Sequence, residues 1–88
     1  MNDREREILL ILQEESAEVI QAVSKVFRFG WDSTWNEQSN KEHLEEEVGD
    51  FLAMIYLMID CGMIDSNATD TAKFNKIEKL KKWSSIFK

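Results

Sequence analysis

Eighty-eight residues with no proline, three glycines and a formal charge of −6 describe one small acidic domain, residues 1–88, with little turn chemistry and strong helix propensity. A single cysteine excludes an internal disulfide, and Cys61 lies 18 residues from the one histidine, His43, about 27 Å along a helix, which argues against zinc. No apolar run approaches the ~18 residues of a membrane span and no basic, then apolar leader opens the chain, so a soluble cytoplasmic protein without a membrane partner is expected.

The charge is unevenly spread. Residues 73 to 88 carry six lysines against one glutamate, whereas residues 1 to 72 carry five basic and sixteen acidic groups. Nucleic-acid binding requires a net basic footprint, so this balance argues against it.

Apolar periodicity predicts an all-α fold of three helices. The first runs from about Asp3, an expected N-cap, to about Phe29, with Ile8, Leu12, Val19, Val23 and Val26 on one side and Leu9, Ile20 and Phe27 widening it. A loop from Gly30 to Asn40 shows no sustained period. The second helix starts near Ser39, which with Glu42 forms an S-x-x-E capping box, and ends near Cys61 before Gly62. Its face is Leu44, Val48, Phe51, Leu52, Ile55, Met58 and Ile59. After a polar turn around Asp65 to Thr69, a third helix carries Phe74, Ile77, Leu80, Trp83 and Phe87, a stripe suited to core or subunit interface. The architecture expected is a helical hairpin with a third, C-terminal helix. So short a chain exposes more apolar face than it can cover, so the expected assembly is a homodimer or homotetramer with a four-helix-bundle core.

Acidic side chains on helices usually face solvent, but four here border apolar neighbours. At about 100° per residue, Glu15 falls between Val26 and Ala22, and Glu18 beside Ile11 and Ala22. Glu14 extends that strip, and no lysine stands four residues on from any of the three to offset the charge. On the second helix Glu47 lies between Phe51 and Met54, and Asp50 between Met54 and Leu57, whereas Glu42, Glu45 and Glu46 read as a solvated face. In an antiparallel hairpin these acids converge. Two carboxylates about 4 Å apart repel by about 4 kcal/mol at an effective dielectric of ~20, so without a cation protons would have to bind. An all-oxygen ligand set selects Mg²⁺ first and Mn²⁺ second, and points to phosphate chemistry.

Glu14-Glu15-Ser16-Ala17-Glu18 reads as E-E-x-x-E and Glu47-Val48-Gly49-Asp50 as E-x-x-D. In that order, with Lys25-Val26-Phe27-Arg28-Phe29-Gly30 between them, they resemble the MazG-like all-α nucleoside triphosphate pyrophosphohydrolases over residues 8 to 60. The resemblance implies Mg²⁺-dependent hydrolysis of a nucleoside triphosphate between its α and β phosphates, giving the monophosphate and pyrophosphate. It implies that Glu15, Glu18, Glu47 and Asp50 hold the metal and that Glu14 orients or deprotonates the attacking water.

Phosphoryl transfer also needs cations near the departing phosphates. Lys25, two turns beyond Glu18, and Arg28 are candidates, as are Lys73, Lys76 and Lys79 on the third helix. Trp31 and Trp35 are candidates to stack on the base. Asn40 reads as a helix cap and His43 as a partly exposed structural histidine; Gly49, inside a helix, implies close approach of another helix or a ligand. The competing readings are a non-enzymatic helical dimerisation or regulatory module and a catalytically silent nucleotide-binding relative.

Overall fold

Asn2, rather than Asp3, caps the first helix. Its side chain accepts from the Glu5 amide at 2.8 Å while the Glu5 carboxylate accepts from the Asn2 amide at 3.2 Å, a reciprocal capping box. The computed structural model describes residues 1–88 as α1 (Asp3–Phe29), β1 (Thr34–Trp35), β2 (Gln38–Ser39), α2 (Asn40–Asp60) and α3 (Ser66–Trp83). The chain forms two compact units, Met1–Met58 and Ile59–Lys88.

The first unit is a helical hairpin whose connection is not the aperiodic loop expected. Thr34 pairs with Ser39 and Trp35 with Gln38 in a two-stranded antiparallel sheet. Asn36 and Glu37 turn it with φ of 55° and 66°, a two-residue turn whose left-handed backbone matches strand twist. Strands two residues long are too short to show the alternation by which strands are read from sequence. Gly30 ends α1 at φ 88°, with its amide donating to the Val26 carbonyl at 2.8 Å.

The same connection satisfies the start of α2, whose first amides have no partner inside the helix. Asn40 and Lys41 donate to the Ser33 and Trp31 carbonyls at 3.0 and 3.1 Å. Glu42 donates to the Ser39 hydroxyl and its carboxylate accepts from the Ser39 amide, so the expected box is present. Asn40 does not cap its own helix. Its buried amide donates to the carbonyls of Gly30 and Lys25 at 2.9 and 3.4 Å, fastening the end of α1 to the start of α2.

Lys25 thus meets Asn40, and Glu15 meets Glu47 and Asp50 further along, which is the order of antiparallel neighbours. The inner face of α1 centres on Ile8 and Ala22, both buried, with Leu12, Val19 and Val26 half-buried. Val23, Ile20 and Phe27 lie outside it, Phe27 at 86% exposure, so the expected face was too wide. On α2 the buried residues are Asn40, Glu47, Met54 and Met58, while Val48 and Leu52 are exposed. Ala22 is fully covered, although a small residue contributes little to a hydropathy wheel.

In the second unit, Gly62 (φ 77°) turns the chain after α2, and Asp65 caps α3 by accepting from the Ala68 amide at 2.9 Å. The turn expected from Asp65 to Thr69 is therefore already helix from Ser66. The helix ends at Trp83, where Ser84 donates its amide to Leu80, so Phe87 does not continue the helical stripe. No residue of α3 is buried. No helix in the chain is long and apolar enough to cross a membrane.

Candidate metal centre

Three of the expected ligands meet. One carboxylate oxygen from each of Glu15, Glu47 and Asp50 lies within 4.8 Å of the others, Glu15 from α1 and the other two from α2. Glu47 and Asp50 are three residues apart, so one turn of helix presents both to the facing strip of α1. Glu47 is buried, Glu15 half-buried and Asp50 exposed, which makes the cluster an opening from the helix interface to solvent.

The Glu15 carboxyl is pushed above its usual range, first by desolvation and then by the charges of Asp50, Glu47, Glu18 and Glu14. All five acids singled out from the sequence therefore share one electrostatic neighbourhood. Glu18, one turn beyond Glu15, and Glu14 are both exposed and stand outside the triple.

A cavity of about 380 Å³ lies at the hairpin end of the unit, lined in part by Lys25, Phe29, Trp35, Gln38, Asn40 and His43. The Lys25 ammonium stands over the Trp35 ring, 6.0 Å from its centroid. Trp31 is not in this cavity. It borders a separate apolar depression with Val23, Val26, Phe27 and Leu44, so the two tryptophans expected to serve one base face different spaces. Arg28 lies over the Phe29 ring at 4.9 Å. Lys73 and Lys76 are exposed on α3, with the Lys73 ammonium 3.9 Å from Asp70.

His43 Nε2 stands 3.2 Å from Glu47 Oε1, and the Gln38 amide donates to Glu46 at 2.9 Å. The sequence placed His43 one turn before Glu47, which is the spacing that makes the contact, but gave no reason to prefer it over a solvated ring. Apart from its own stretch of helix, Gly49 has nothing within 4 Å of where a Cβ would stand, so the close approach expected there is not made within this molecule.

The MazG nucleotide pyrophosphohydrolase domain matches this sequence over residues 4–83. The chain belongs to the MazG family. No curated protein and no solved structure shows a match to it. For a MazG domain the clustered carboxylates are the feature with chemical meaning: three oxygens from two helices, no sulfur or imidazole nitrogen among them, form a donor set for a hard divalent cation.

Proposed function

We propose that this MazG domain hydrolyses nucleoside triphosphates to the monophosphate and pyrophosphate, with Mg²⁺, or Mn²⁺ in its place, held by Glu15, Glu18, Glu47 and Asp50. The observation carrying this reading is the approach of Glu15, Glu47 and Asp50 within 4.8 Å together with the elevated Glu15 carboxyl, since three like charges so close are stable only when protonated or joined to a cation. The donors fit the ion. Ligands of an octahedral Mg²⁺ at about 2.1 Å stand no more than about 4.2 Å apart, a spacing that small rotamer changes would produce here. When bound, the ion would neutralise phosphate oxygens and offset charge on the departing pyrophosphate.

The remaining work falls to side chains. Glu14, exposed beside the cluster, orients or deprotonates the attacking water. Lys25 reaches the phosphates from the cavity, and Trp35 offers its ring to the base, a contact that supplies area without dictating base identity. Trp31 supports the base from the neighbouring depression only if that loop shifts. Arg28, Lys73 and Lys76 complete the proposal as further phosphate ligands.

The assembled form in this reading is a homodimer or homotetramer. Ile20 and Phe27 on α1, Leu52 and Tyr56 on α2, and Phe74 and Trp83 on α3 are all exposed, far more apolar surface than isolated residues on a monomer.

The test is a panel of ribo- and deoxyribonucleoside triphosphates assayed for pyrophosphate with and without Mg²⁺. Release of pyrophosphate and monophosphate in equal amounts, dependent on the metal, is expected. Glu47→Gln should lower turnover by about two to three orders of magnitude while leaving the metal-free protein at least as stable, because a negative charge leaves the cluster. No product from any triphosphate would overturn the enzymatic reading and favour the silent nucleotide-binding one.

A further inference from the structure

Glu47 is the most enclosed acid of the cluster, and it has a specific partner: His43 Nε2 lies 3.2 Å from its Oε1, with the two side chains 23% and 12% exposed. An ionised carboxylate can only accept, so toward the ionised form of Glu47 the ring would serve as donor through Nε2. The pair is weakly placed to stabilise the helix. His43 is the fourth residue of α2, at the end where the helix dipole disfavours positive charge, and the order of base before acid is the weaker one for an i, i+4 pair.

The position of the pair suggests another purpose. His43 lines the cavity that holds Trp35 and Lys25, while Glu47 belongs to the carboxylate triple, so one imidazole borders both. With one oxygen tied to the ring, the Glu47 carboxylate cannot turn freely and keeps a fixed orientation toward Glu15 and Asp50. We propose that His43 is a positioning residue that fixes Glu47 for the divalent cation, its ring standing between the cavity it lines and the carboxylate it contacts. This rests on the reading of Glu47 as a ligand.

The experiment is Mn²⁺ binding, followed by the electron paramagnetic resonance of the free ion, for the wild type, His43→Leu and His43→Gln, with the apparent Mg²⁺ requirement and kcat measured on the same proteins. His43→Leu removes the donor and His43→Gln supplies an amide donor in its place. His43→Leu should bind Mn²⁺ about ten-fold more weakly or worse and need correspondingly more Mg²⁺, with His43→Gln recovering most of the loss. A purely structural histidine would instead lower the melting temperature of the metal-free protein and leave Mn²⁺ affinity alone. Equal Mn²⁺ affinity for the Leu and Gln variants overturns the proposal even if either is less stable. A wild type that binds Mn²⁺ while His43→Leu binds it equally well removes only the role of His43; a wild type that binds no Mn²⁺ removes the metal centre as well.

Discussion

Glu15 is half-buried because Val19 and Ala22, four and seven residues on, share its side of α1 and turn it toward α2. Its carboxyl therefore titrates above the ordinary glutamate range, for want of solvent and because of Asp50, Glu47, Glu18 and Glu14. In the window between the ordinary value and this raised one, the folded protein binds more protons than the unfolded chain, so stability falls as pH rises. Glu42 has the opposite sign. Hydrogen bonds from the Ser39 amide and hydroxyl hold its carboxyl below the usual range, so its contribution is present above that range and is lost as pH falls through its lowered value. The two windows lie on either side of the ordinary glutamate value and do not overlap. Urea melts of the metal-free protein should show stability declining as pH rises through the upper window, with Glu15→Gln or saturating Mg²⁺ flattening that slope. An unchanged slope in Glu15→Gln would show that some other group causes it.

Among the elements, the connection between α1 and α2 does more than join them. Its turn places Glu37 at φ 66°, a conformation that costs a side-chain-bearing residue about 1–2 kcal/mol, and the strands it joins deliver Trp35 to the cavity and Ser39 to the cap of α2. Helix α2 in turn carries Gly49 between the two acids of its motif. A glycine inside a helix is less favourable than alanine by about 1 kcal/mol, and a Cβ at Gly49 would meet nothing beyond its own stretch of helix within 4 Å. Gly49→Ala should therefore raise the stability of this chain by about 0.5–1 kcal/mol in denaturant unfolding. A loss of stability or of assembly in that variant would show that a second molecule approaches the helix at this point.

For the molecule as a whole, the core of the first unit is thin. Ile8, Ala22, Met54 and Met58 are its only buried apolar residues, and no large side chain is completely enclosed. A chain of this size buries a smaller fraction of its surface than a larger domain does, which is the physical ground for expecting association. Light scattering should give a mass at two or four times the 10.3 kDa chain. Phe27→Asp, which puts a charge on the most exposed aromatic of α1, should shift that mass toward the monomer. A wild type that scatters as a monomer at micromolar concentration would end the oligomeric reading.

Helix periodicity, the Ser39–Glu42 box and the pair of acidic motifs are local patterns, so three helices, the antiparallel hairpin and the candidacy of Glu15, Glu47 and Asp50 were all legible from residue spacing and side-chain type. What depended on the third dimension was which neighbours met. Ala22 rather than Val23 is the covered residue, because burial in a packed interior is decided by volume and fit as well as by hydropathy. Trp31 and Trp35 part company because Trp31 stands in the turn that follows Gly30 whereas Trp35 belongs to β1, a strand that exists only through pairing across Asn36 and Glu37, whose left-handed backbone has no reliable signature in a turn that lacks glycine. The contact between His43 and Glu47 likewise needed both side chains on the enclosed face of α2, since the same spacing on its outer face would leave two solvated groups.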